Sequence, residues 1–126
     1  MTAWLQRYDF SSEDLEIPDA SVAKEIIRRF DWARECELER RHKGETCPAG
    51  LGLLINDSHI LHICPRSDGS SLVHYHFPKR RRLFGLFPVT SEGLLTWPDL
   101  PSDKVELMID CYFHGDHASI ERLAYQ

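Results

Sequence analysis

Histidine and cysteine are the residues of this chain best equipped for chemistry. His59 and His62, His74 and His76, and His114 and His117 come in close pairs, with Cys64 and Cys111 nearby in sequence. Imidazole and thiolate are zinc ligands, and side chains at alternate strand positions leave the same sheet face, so His74 and His76 could bind a metal with Cys64, His62 or His114. The spacing argues against it. No two cysteines form the Cys-x-x-Cys unit of a zinc ribbon, and His59 and His62, three apart on a strand, project to opposite faces. Alternation alone accounts for His74 and His76, as polar-face residues of a strand whose Val73, Tyr75 and Phe77 face the core. His114-Gly115-Asp116-His117 reads as a helix terminus, where imidazole suits the negative end of the dipole and glycine turns the chain. A zinc module or small metal-dependent enzyme is therefore one alternative reading and a generic protein-interaction adaptor another, while a protein that acts by binding alone needs no cofactor.

Covalent catalysis finds little support. Cys64 precedes Pro65 and Cys111 lies in a helical pattern, and neither has the helix-entry or glycine-elbow setting that activates a nucleophile. Ser70 and Ser71 follow Asp68-Gly69 in what reads as a hairpin turn, and there is no glycine-rich phosphate loop. Lys79 to Arg82 is a run of four positive charges before Leu83 and Phe84. It reads as a charged loop guarding an apolar strand, or as a site for phosphate or an acidic partner. No enzyme signature emerges.

The elements that must position these residues follow from length and pattern. A chain of 126 residues makes a single domain, 1–126. Hydrophobic residues at 42% and charged residues at 28% disfavour disorder, and no apolar run is long enough to span a membrane. The net charge of −5 argues against nucleic-acid or anionic-membrane binding and suits a basic partner. It is unevenly spread. Residues 9–19 hold five acids and no base, and residues 83–126 hold seven acids against two bases. The N-terminal stretch lacks a signal peptide's apolar core, and four widely spaced cysteines then read as the reduced thiols of a cytoplasmic protein.

Leu15 and Ile17 alternate with acids, which predicts an exposed entry strand or loop. Ser21 is placed to cap a helix running from Val22 into the late thirties, with Val22, Ile26, Ile27, Phe30 and Ala33 at helical spacing. Leu51 to Ile55, Ile60 to Ile63 and Leu72 to Phe77 predict three strands of an antiparallel meander, turning at Asn56-Asp57 and Asp68-Gly69. Leu83 to Pro88 and Gly93 to Trp97 supply two further short runs. Ser102 or Asp103 caps a second helix with Val105, Met108, Ile109 and Tyr112 on its apolar face, stopped by Gly115. Ile120, Leu123 and Tyr125 suggest a short last strand. The class is α+β, a mostly antiparallel sheet meander packed by an N-terminal and a C-terminal helix.

This order resembles the first-described immunity-protein family of bacterial polymorphic toxin systems, whose members include the partner of a double-stranded-DNA deaminase toxin. The resemblance lies in LGLLINDSHILHICPRSDGSSLVHYHF, from Leu51 to Phe77, and LPSDKVELMIDCYFHGDHASIERLAYQ, from Leu100 onward. It implies a non-enzymatic inhibitor that binds a cognate toxin one to one and occludes its active site, with no direct contact to nucleic acid or membrane. Such toxins often carry basic clefts, so Asp9, Glu13, Asp14, Glu16, Asp57 and Asp68 become candidate charged contacts. Trp97, with Trp4, Tyr8 and Tyr125, is a candidate aromatic anchor.

Overall fold

A computed structural model describes residues 1–42, 44–55, 58–83 and 87–123, with the backbone alone for 79–83 and 87–92. In chain order the elements are β1 (Thr2–Gln6), β2 (Ser12–Glu16), α1 (Ala20–Arg29), α2 (Trp32–Arg41), β3 (Gly50–Ile55), β4 (His59–Pro65), β5 (Ser71–Leu83), β6 (Phe87–Leu100), α3 (Ser102–Phe113) and α4 (His117–Leu123). The strands form one antiparallel sheet in the order β2-β1-β3-β4-β5-β6. The class is α+β, with a meander from β3 to β6. The β1–β2 hairpin adds to its near side so that β1 pairs with β3 and β2 is left at the edge.

Strand periodicity sorts the side chains. Ala3, Leu5, Leu51, Leu53, Leu61, Ile63, Val73, Tyr75 and Phe77 are buried on one face, with Val105, Met108, Ile109, Tyr112, Ile120 and Leu123 of the helices in the same core. Each Leu, Ile, Val, Met or Phe among them stabilises by about 1.5–3 kcal/mol when fully removed from water. Gly93 faces Phe77, whose ring lies where a Cβ would stand, so the aromatic covers the gap that glycine leaves in β6.

The long first helix expected from Val22 is two helices. Phe30 is extended, and the Asp31 carboxylate accepts from the Arg34 amide at 3.1 Å, opening α2 with a new cap. The Trp32 indole N–H donates to the Ile27 carbonyl at 3.0 Å, satisfying an acceptor that the break in α1 frees. Asp19, and not Ser21, caps α1: its carboxylate takes the Val22 amide at 3.1 Å and the Ser21 hydroxyl at 2.7 Å. Pro101 holds the cap position of α3 without a side-chain bond, so neither Ser102 nor Asp103 plays that part.

Two further expectations are corrected. The run from Leu83 to Pro88 reaches from the end of β5 to the start of β6, with residues 84–86 outside the described ones, and Gly93 to Trp97 lies within β6, while Lys79 to Arg82 belong to the strand backbone of β5, paired with Pro88 to Ser91, where a loop was expected. Pro78 is tolerated because β4 pairs with β5 only as far as His76 and leaves no ladder there for its missing N–H. The closing segment is helical, not a strand. Gly115 takes the left-handed conformation (φ +69°), the Asp116 amide reaches back to the Cys111 carbonyl at 2.9 Å, and the Asp116 carboxylate accepts from the Ser119 amide at 3.1 Å. Ile120 and Leu123, three apart, then meet the core from one helical face, while Tyr125 lies outside the described residues.

Candidate functional site

The acidic segment forms the free edge of the sheet. Bonds from the Ile17 amide to the Met1 carbonyl (2.9 Å) and from the Arg7 amide to the Ser11 carbonyl (2.8 Å) set the phase of the β1–β2 ladder. Odd-numbered residues of β2 therefore bond to β1, and the backbone N–H and C=O of Ser12, Asp14 and Glu16 point away from the sheet. Glu13, Asp14 and Glu16 are exposed. Glu13 and Leu15 share the helix-side face, and Glu13 lies 3.9 Å from Arg7, which is also 3.5 Å from the buried Glu35. Asp14 and Glu16 lie on the opposite face, and Glu16 accepts from the Met1 amino group at 2.7 Å.

Asp9 opens the connecting turn. It accepts from the Ser11 hydroxyl at 2.6 Å and amide at 3.1 Å, which holds its carboxyl below the usual carboxylate range. Next to it Phe10 has φ +68° and its side chain is 60% exposed. A phenylalanine in the left-handed region is strained, and this one leaves most of its surface in water. Sequence reasoning missed Phe10, since only the tertiary turn exposes it, although Asp9 and Ser11 around it signal a turn.

On the face away from the helices, in-register residues line up across the strands. Asp14, Trp4, Gly52, His62, His74 and Thr96 form one row, and Glu16, Thr2, Leu54, Ile60, His76 and Leu94 the next. The Trp4 ring lies flat where a side chain on Gly52 would stand, and stacks with His62 at 6.1 Å and 20°. His74 Nδ1 lies 3.2 Å from the Thr96 hydroxyl. Burial, followed by the neighbouring His74 and His76, holds the His62 imidazole below its ordinary pKa. Leu94 is 55% exposed on this face, a second residue that sequence reasoning did not single out.

His74 and His76 do share one face with His62 and Cys64. Even so, among the described residues no three His, Cys, Asp or Glu side chains are grouped so as to hold a metal ion. Cys64 lies 3.8 Å from His62 Nδ1, but burial pushes its thiol up to about 12, and all four cysteines are free thiols. His114 caps the end of α3, with Nδ1 2.8 Å from the Asp110 carbonyl.

The remaining candidates separate. Asp68 sits in the β4–β5 turn, its carboxylate engaged by the Ser70 hydroxyl (2.7 Å) and amide (2.9 Å) and its pKa lowered by them. It borders a depression of about 520 Å³ with Cys36, Glu39, Arg40 and Arg66. Asp57 lies outside the described residues. Trp97 is not an anchor: it pairs with Val73 on the helix-side face and is buried in the core. Tyr8 stacks on His42 at 5.9 Å.

One polar cluster runs from the core out to the surface of α4. The Tyr75 hydroxyl is 3.1 Å from His117 Nδ1, and His117 Nε2 is 3.6 Å from Glu121. The Tyr112 hydroxyl accepts from the Ile55 amide at 3.0 Å and reaches the carbonyls of Leu53 (2.9 Å) and His59 (2.7 Å), so it ties α3 to the β3–β4 hairpin. Burial raises the pKa of both phenols, Tyr75 to about 12. The cavity beside them is about 170 Å³, below the size of an ordinary ligand site. Inert phenols around so small a space brace the fold.

No helix is long and apolar enough to cross a membrane among the described residues. Compared with protein-family profiles, curated proteins and solved structures, the chain matches none, so its functional reading rests on the residues and geometry above.

Proposed function

We propose that this protein is an immunity protein: it binds a basic, nucleic-acid-targeting toxin domain one to one inside the producing cell and occludes its active site. The observation that carries this reading is the β1–β2 edge, where Glu13, Asp14 and Glu16 are exposed along β2 and the strained, solvent-facing Phe10 stands in the turn that leads into it. Acidic residues around an aromatic anchor suit a basic cleft, steering encounter through charge and holding the complex through the buried ring. The open face, with Trp4, His74, His76 and Leu94, extends the same surface. Inhibition by occlusion needs no cofactor and no catalytic group of its own.

Co-expression with the product of the adjacent upstream gene tests the reading. Rescue of the cells and a stoichiometric complex on co-purification are expected, and neither rescue nor complex would sink it. Charge reversal by Glu13→Lys with Asp14→Lys is expected to slow association about tenfold at low salt while leaving the thermal midpoint near that of the wild type.

A further inference from the structure

The free edge of β2 is bordered on its helix side by an apolar trough. Leu5, Leu15, Val22, Ile26 and Phe30 line an open groove of about 530 Å³ between β2 and α1. Two charged residues also border it, Glu25 and Arg29, and they are paired with each other at 2.6 Å. The outward-pointing amides and carbonyls of Ser12, Asp14 and Glu16 run alongside. A strand laid against them would place alternate side chains on the two faces. Those on the helix side would enter the trough beside Leu15. Those on the open side would stand next to Asp14 and Glu16.

We propose that this edge captures an extended segment of the partner as a further strand of the sheet, a segment in which Lys or Arg alternates with apolar residues. The inference rests on the immunity reading for the identity of the partner, and on the edge and trough for the mode of capture. Main-chain bonds to β2 would supply affinity, while the trough and the acids would select the alternating pattern. Charge complementarity decides against a second copy of this chain. Pairing β2 with β2 would bring Glu13, Asp14 and Glu16 against the same acids, and like charges across a ladder repel.

The test uses the full chain and a short capped peptide alternating lysine and valine, with a peptide of the same composition in two blocks and a glutamate–valine peptide as controls. Binding of the first peptide alone is expected, with hydrogen exchange at the Ser12, Asp14 and Glu16 amides slowed at least about tenfold. Asp14→Pro deletes one outward N–H at an edge position that tolerates proline, and is expected to weaken binding at least about tenfold. Should that variant fold poorly, Asp14→Lys with Glu16→Lys replaces it, with the same expected loss. Absence of binding, equal binding of the block peptide, binding indifferent to these substitutions, or protection at β6 in place of β2 would each overturn the proposal. The two readings also fail separately. A toxin complex that forms equally well with Asp14→Pro rejects this mode of capture and leaves the immunity function standing. Peptide capture in a protein that neither binds nor neutralises the neighbouring gene's product keeps the edge and rejects the function.

Discussion

The two faces of the sheet are built from the same strands, one residue out of phase, and they are finished in opposite ways. On the helix side Leu53, Leu61, Ile63 and Val73 are fully buried beneath α1, α3 and α4, and the Tyr112 hydroxyl ties the last turns of α3 to the β3–β4 hairpin. On the other side Trp4 lies across Gly52, three imidazoles stand side by side, and Leu94 is left 55% exposed. Burial that stabilises the fold is thus concentrated on one face. The other carries aromatic and imidazole surface that the chain covers only in part, and it runs out to an acidic edge. A sheet needs only one covered face to be stable, which leaves the second open for contact.

Paired truncations give the largest test of this contrast. Leu53→Ala leaves a cavity under the helices and is expected to cost about 3 kcal/mol in chemical denaturation, against about 0.5 kcal/mol or less for Leu94→Ala. Comparable losses at both positions would mean that the open face is covered after all. Tyr112→Phe removes the hydroxyl bonded to Ile55 and within reach of Leu53 and His59, and is expected to cost about 2 kcal/mol, visible as a lower thermal midpoint. A neutral outcome would reduce that clamp to packing alone.

The smallest effect is one of pH and belongs to the open face. His62 is held below its ordinary value of 6.5 in the folded chain, so the unfolded chain takes up a proton first as the pH falls. Its contribution is fully present above pH 6.5 and is lost as the pH falls through the lowered folded value. A denaturation series across that window should show this acid-side loss, and His62→Gln should flatten it. If the slope is unchanged by the substitution, His62 is not the desolvated group of this face.

Much of the layout was legible because its causes are local. The alternation of Val73, Tyr75 and Phe77 with His74 and His76 fixes which residues share a face, and Asp68-Gly69-Ser70 carries its own turn. The acids of β2 were legible as an exposed strand or loop for the same reason, and the pairing with β1 makes the segment a strand. Trp97 was misread as an anchor because GLLTWPDL alternates without saying which half faces inward. Only its pairing with Val73 places the indole in the core and Leu94 outside. The single long helix failed at Asp31, whose capping bond competes with helix continuation although Ala33 keeps the apolar spacing. The closing strand failed because the cap at Asp116 lets Ile120 and Leu123 reach the core as one helical face.

The sequence by itself determined the α+β class, the alternation of each strand and an acidic segment free of bases, since composition and spacing act within a few residues. Tertiary structure alone decided that β1 enters between β2 and β3. That single non-local pairing puts Trp4 over Gly52, strands the acids of β2 at a free edge and opens the trough beneath α1. Pairing of this kind depends on residues some fifty positions apart, such as Leu5 with Leu51, whose contact no local propensity encodes.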